Sequence, residues 1–258
     1  MKKSIITSLI VMMSSIVYAN TNKSFIDPLS VYKSNYFISG DKNEDQVKWQ
    51  MSMKCNLLWP FNSGVYFGYT QLSYWRIYDN KSPFKDSNYQ PEFFYKFESG
   101  NNLINNINIP FIDYIQVSPY YHRSNGRDGE ESRGENKYYV EVQKSFGQSL
   151  NIGTRTKIFG YYTVQEGNKD INRYHNNYEM SVFIKNVSKR IRKLEKETIE
   201  LTWGGNPYDE GWIQLEISTR IITTYVQPKI FFQAYHGYDE FMLNYDTKTT
   251  AFRIGVGI

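Results

Sequence analysis

Apolar and polar positions alternate with a period of two along most of the chain. From Val47 to Leu57 the odd positions are Val47, Trp49, Met51, Met53, Cys55 and Leu57, and the even ones are Lys48, Gln50, Ser52, Lys54 and Asn56. A helix would scatter these residues around its circumference, whereas a strand sends each set to one face. From Val65 to Ile77 one face again carries Val65, Phe67, Tyr69, Trp75 and Ile77, and the C-terminal stretch sets Phe252, Ile254, Val256 and Ile258 against Ala251, Arg253, Gly255 and Gly257.

The same pattern predicts twelve strands: near Tyr36, then Val47 to Leu57, Val65 to Ile77, Glu92 to Phe97, Ile115 to Ser124, Lys137 to Lys144, Leu150 to Tyr161, Tyr178 to Val187, Thr198 to Trp203, Gly211 to Thr219, Val226 to His236 and Thr249 to Ile258. Short connections (Pro60 to Gly64, Phe146 to Ser149) alternate with long ones (Asp79 to Pro91, Asn125 to Asn136). An even strand number, strands of about ten residues and long loops on one side predict a 12-stranded antiparallel transmembrane β-barrel, with polar faces lining the interior and aromatic-rich faces meeting lipid. A soluble β-sandwich would show a similar alternation, but the following features favour the barrel.

The N-terminus reads as an export signal. Lys2 and Lys3 precede an apolar core from Ile5 to Val17, and Val17 and Ala19 stand at the positions of a cut before Asn20. This predicts a signal peptide over 1–19 and a single barrel domain over 20–258. A mean hydropathy of -0.58 excludes a polytopic helical membrane protein, and 40 % hydrophobic residues exclude a disordered one. The net charge of +4 implies no nucleic-acid partner. One cysteine, Cys55, offers no internal disulfide and reads as an apolar filler. Lys189 to Glu197 is too charged for lipid and is expected as a solvated turn.

Chemistry concentrates in Tyr120 to Tyr139, YYHRSNGRDGEESRGENKYY. His122 and Ser124 are two residues apart, so on a strand they share a side, which is general-base geometry for a serine nucleophile if a third group orients the imidazole. Asn136, on the next strand, shares its face with Tyr138, Val140 and Val142, the apolar face. The expected cluster therefore points outward, towards lipid, at the long-loop rim. Ile115 and Val117 have the opposite parity to His122, and a bulge at Pro119 is the expected remedy, because proline cannot donate to a ladder. No G-x-S-x-G or H-E-x-x-H motif is present. The acids Asp128, Glu130, Glu131 and Glu135 read as a solvated loop, and His175 and His236 as ordinary loop and strand residues.

These residues resemble the outer membrane phospholipase A family. The resemblance rests on H-x-S-N-G at His122 to Gly126, on Ser132, Arg133 and Asn136, on Tyr69 to Glu92, and on Q-A-Y-H-G-Y-D-E near Gln233. It implies a calcium-dependent serine esterase acting on membrane phospholipids at either glycerol position, a homodimer in the outer membrane of a Gram-negative bacterium, with its site on the outer-leaflet side. Carried over, Ser124 is the nucleophile, His122 the base and Asn136 its orienter, while the Gly126 N–H stabilises the oxyanion. The Arg127 carbonyl and the Ser132 hydroxyl would hold Ca2+, and Gln71 in Y-T-Q would form the dimer contact. On the apolar parity of its strand, Gln71 should face lipid, where an unpaired amide is costly.

Two positions depart from the family pattern. Lys81 stands where a serine would ligate the partner's calcium, with Ser82 the nearby hydroxyl. The loop acid falls near Glu166 and Gly167, so that Glu166 or Asp170 would substitute. The competing reading is a passive barrel, either a porin, for which about twelve strands give a narrow lumen, or an adhesin indifferent to His122.

Overall fold

The computed structural model describes residues 28–40, 47–59, 64–81, 83–98, 111–147, 150–187, 194–205, 210–221 and 228–258. The expected export signal and Ser82 lie outside them. Strands are β1 (Leu29–Val31), β2 (Tyr36–Ser39), β3 (Val47–Asn56), β4 (Val65–Trp75), β5 (Phe84–Glu98), β6 (Tyr114–Ser124), β7 (Gly134–Phe146), β8 (Asn151–Val164), β9 (Tyr178–Lys185), β10 (Leu194–Gly204), β11 (Trp212–Ile221), β12 (Lys229–Gly237) and β13 (Thr249–Gly257). One short helix, α1 (Ile171–His175), lies between β8 and β9.

Each strand pairs antiparallel with its neighbours, and β13 returns to β2 while β3 pairs with β4, closing the sheet. The segments β1 and β2 lie along the same side of β3, with Val31 opposite Met53 and Tyr36 opposite Gln50. They are two parts of one barrel strand, interrupted where Asn35 Oδ1 accepts the Ser52 N–H at 2.5 Å. The closed barrel is therefore twelve-stranded, as expected. Closure pairs the sheet's ends to each other, leaving the short β1 with β3 as its one strand partner among the described residues, and a closed sheet is what hydrocarbon needs, since unpaired backbone groups there have no water to turn to.

Two strand starts differ most from the sequence expectation. The strand expected to begin at Glu92 begins at Phe84, so Asp79 to Pro91 is mostly not a loop. Asp86, Asn88 and Gln90 are buried on its inner face, and a strand whose inner face is polar and which contains Pro91 reads like a loop in one dimension. Likewise Leu194 to Glu197 belongs to β10 and is not turn.

The interior is polar. Tyr139 donates to Glu92, and Gln116 Nε2 donates to the hydroxyls of Tyr139 and Tyr32 at 2.5 and 2.7 Å. A cavity of about 420 Å³ lined by polar and charged side chains, among them Lys33, Arg155, Lys157, Glu179 and Glu216, fills part of the lumen. At the long-loop end, the connection between β12 and β13 folds inward. Phe241 and Met242 are buried, Met242 packs with Ile171 of α1 and with Tyr245, and Asp86 accepts the N–H groups of Met242 and Leu243 at 2.6 and 3.1 Å. The loop thereby obstructs the lumen of a porin-like channel.

Two carboxylates anchor this loop. Asp239 meets Arg123 and His175, and Glu240 meets Lys48 and Arg253. Burial pushes both carboxyls up, but Arg123 beside Asp239, and Lys48 and Arg253 beside Glu240, outweigh it and hold both below the ordinary carboxylate range. A depressed folded-state value means that the stabilisation is complete above the unfolded range, near pH ~4, and is lost only as pH falls through the lower folded value. Pepsin digestion should accordingly leave 238–248 intact down to about pH 4 and cut it only at stronger acidity. Cleavage there beginning around pH ~5 would contradict the anchoring.

Candidate active site

The bulge expected at Pro119 is present. Ser118 lies opposite Tyr139 but Tyr121 opposite Lys137, so one extra residue of β6 is inserted between them. Val117, before it, and His122, after it, thus share the outer face. A second bulge, unforeseen, lies in β8: Asn136 faces Thr163 but Lys137 faces Tyr161. Tyr162, looped out between them, donates its hydroxyl to the Pro119 carbonyl at 3.1 Å and packs on Tyr138 with ring centroids 5.0 Å apart. The two bulges brace one another beside the site.

Between them, His122 Nδ1 and Asn136 Oδ1 are 2.8 Å apart, on directly paired residues of β6 and β7. Asn136 Nδ2 donates to Thr163 Oγ1 at 2.7 Å, and Oδ1 also accepts from the Tyr120 hydroxyl at 3.1 Å. With the amide so turned, the imidazole proton is held on Nδ1, leaving Nε2 as the acceptor a general base requires. Thr163 and Tyr120 carried no signal in sequence; Thr163 joins the site only through the β8 bulge.

Ser124 ends β6 on the same outer face, and its Oγ accepts the Gly126 N–H at 3.2 Å. Gly126 has φ +65°, and a Cβ there would lie 2.6 Å from the Tyr89 ring, so glycine is required both by conformation and by space. Asn125 staples the loop: its Oδ1 accepts from the N–H of Arg127 and of Arg133 at 3.3 and 2.9 Å, and its Nδ2 donates to the Glu131 carbonyl at 2.7 Å. Arg127, whose guanidinium meets Glu131 and the Lys85 carbonyl, and Ser132 lie on this stapled loop.

Ser132 Oγ bonds Gln165 Oε1 at 3.0 Å. Neither Glu166 nor Asp170 bonds it: Glu166 is paired with Lys169 in solvent, and Asp170 accepts the Tyr245 hydroxyl. The reason is the 3-10 turn at Glu166–Asn168. Asn168 clamps Gly134 through both amide atoms at 3.2 and 3.3 Å, and Gly134, lacking a side chain, leaves room for Gln165. No cluster of three or more His, Cys, Asp or Glu suited to a metal occurs among the described residues. Hydroxyl, amide and carbonyl oxygens fall outside that class but suit a hard cation.

Gln71 lies on the outer face in one row with Tyr89 and Ser124, strand by strand. Its amide is not unpaired as expected: Tyr69 donates to Oε1 at 3.1 Å and Nε2 donates to Ser73 Oγ at 3.3 Å. Lys81 is exposed in the connection 76–83. His236 bonds Thr250 on the outer face, but His175 is no ordinary loop residue, being buried against Asp239.

A family model described as phospholipase A1 matches residues 4–258. The chain is 27 % identical over 252 residues to phospholipase A1 of Salmonella typhimurium, covering 94 % of this chain and 78 % of that protein. It is 26 % identical over 234 residues to phospholipase A1 of Escherichia coli, covering 87 % and 73 %. Among solved structures it is similar to a calcium-bound dimer of Salmonella typhi outer membrane phospholipase, with TM-score 0.70, 21 % identity and coverage of 95 % and 98 %. It is also similar to outer membrane phospholipase A from Escherichia coli, with TM-score 0.69, 20 % identity and coverage of 94 % and 96 %. A match running through the strands, the bulged site and the C-terminal strand places this outer-membrane β-barrel in the phospholipase A1 family of enzymes.

Proposed function

We propose that the mature chain, residues 20–258, is a calcium-dependent phospholipase that cleaves sn-1 and sn-2 acyl esters of phospholipids and lysophospholipids from the outer leaflet. The observation that carries this is the His122–Asn136 bond on the lipid-facing side of the barrel, with Ser124 two residues away at the strand end. A substrate held in the membrane brings its ester to the barrel's outer face, where these groups stand.

Ser124 Oγ attacks the ester carbonyl as His122 Nε2 takes its proton. The Gly126 N–H, which bonds the Ser124 Oγ in the free protein, would donate instead to the tetrahedral oxyanion that forms beside it. His122 returns the proton to the departing glycerol oxygen, and water repeats the sequence to free the fatty acid. Asn136 keeps the tautomer through both halves and, being uncharged, contributes geometry more than charge.

The donor set fits calcium in kind: the Arg127 carbonyl and Ser132 Oγ would hold the ion, with Gln165 Oε1, beside Ser132, in place of a loop carboxylate. Bound there, calcium would supply a Lewis-acid charge to the oxyanion. We further propose activation by homodimerisation through the Gln71 face, which lies in one row with the nucleophile.

Fatty-acid release from phospholipid in detergent, with calcium and then with chelator, tests the activity: release that stops on chelation is expected, and none under either condition would overturn it. Ser132→Ala should raise the calcium concentration needed for half-maximal activity, and an unchanged calcium dependence would remove Ser132 from the set. Thr163→Val should slow turnover about fivefold, the equivalent of one neutral hydrogen bond of about 1 kcal/mol. Asn136→Ala should cost more than this but less than loss of the nucleophile; a Thr163→Val variant slower than Asn136→Ala would contradict that ranking.

A further inference from the structure

Inside the barrel, directly behind the outward-facing groups, lies a buried ionic cluster that the proposed chemistry does not use. Arg123, between His122 and Ser124, points inward and holds Asp239 with Nη1 at 3.0 and 2.8 Å from its two oxygens. The same nitrogen is 3.5 Å from Glu135, the residue before Asn136, and Glu135 is paired with Lys137 at 2.7 Å. His175 of α1 completes the group against Asp239. All five side chains are buried.

Arg123 and Glu135 are directly paired across β6 and β7, as are His122 and Asn136 one residue on. The hydrogen bond outside is thus mirrored by an ion pair inside. Successive residues of a strand project to opposite faces, so a rotation of β6 about its axis that moves Arg123 also moves His122 and Ser124. Such a rotation is least resisted here by the ladder, because the Pro119 bulge interrupts pairing on both sides of β6 just before these residues.

We infer that Arg123 and Asp239 are positioning residues for the hydrolytic site: their buried pair fixes the rotation of the end of β6, and hence the placement of His122 and Ser124 relative to Asn136 on β7, from the opposite face of the sheet. This rests on the proposed Ser-His-Asn reading. Because Asp239 belongs to the loop 238–248, the pair also ties the outward-facing site to the plug in the barrel mouth.

The test compares the wild type with Arg123→Lys and with the double variant Arg123→Met/Asp239→Leu. Lysine keeps the charge but lacks the guanidinium plane that sets Nη1 against both Asp239 and Glu135, and an apolar pair avoids leaving a buried charge alone. Heat-dependent gel mobility reports the folded barrel, and steady-state kinetics with the Nδ1 proton resonance of His122 report the site. In folded Arg123→Lys, kcat should fall about tenfold with KM within twofold of wild type, and the His122 resonance should shift. The double variant should lose at least as much kcat. A kcat within twofold of wild type in a folded variant, with an unmoved resonance, would overturn the positioning role. Should the double variant not fold, Arg123→Lys alone decides by the same readouts. Absence of hydrolysis in the wild type would instead overturn the reading on which this inference rests.

Discussion

Ser124→Ala is expected to abolish phospholipid hydrolysis, with a loss of at least ~10³-fold, while the barrel still shows heat-dependent gel mobility. A hydroxyl and an imidazole that act as one unit lose nearly all their rate when either is removed. The fold should be indifferent, because Ser124 is partly exposed and ends β6, and its backbone pairing with Tyr89 and Gly134 does not need the hydroxyl. Initial rates of fatty-acid release by equal amounts of folded wild type and variant provide the check. Retention of more than a few per cent of the activity would mean that the nucleophile lies elsewhere.

Gly126→Ala is expected to reduce turnover about 10²–10³-fold, the usual consequence of losing one oxyanion donor. The cause here is displacement of the donor. At φ +65° an L side chain is strained, and the new methyl would lie 2.6 Å from the Tyr89 ring, so relief of the strain and of the contact is expected to shift the loop and carry the N–H away from Ser124. The combination Gly126→Ala with Tyr89→Ala separates the two causes, since it removes the clash and leaves the backbone strain. Partial recovery in the double variant is expected, measured as kcat. If Gly126→Ala alone kept a third or more of wild-type turnover, the oxyanion role would be wrong.

What was legible in the sequence follows the physics of each signal. The alternation from Val47 to Leu57 became β3, Val47–Asn56, because one face meets lipid and the other a polar lumen, the condition under which a period of two is strongest. Pro119 announced its bulge because a missing N–H is a local property. Tyr162 announced nothing: the residues around it contain neither glycine nor proline at the bulge itself, and the insertion is visible only in the register against β7. The beginning of β5 was hidden by Asp86, Asn88 and Gln90, polar residues buried on the inner face, of which Asp86 accepts from the 238–248 loop and Gln90 from Tyr121 of the lumen.

The site divides in the same way. His122 and Ser124 were legible because two-residue spacing on a strand is a geometric statement in itself. Asn136 needed only the neighbouring strand. Thr163, Gln165 and Asp239 come from distant positions, and no spacing rule connects them to the motif. Gln165, rather than Glu166 or Asp170, bonds Ser132, because the direction of a loop side chain is set by the Asn168 clamp on Gly134, a tertiary contact.

The identity of the nucleophile is measured most directly by covalent labelling. Folded protein treated with a long-chain fluorophosphonate in detergent with calcium, then digested and mapped by mass spectrometry, should carry a single adduct on Ser124, absent from the His122→Ala variant. An adduct on a different residue, or equal labelling of Ser124 with and without His122, would contradict the proposed mechanism.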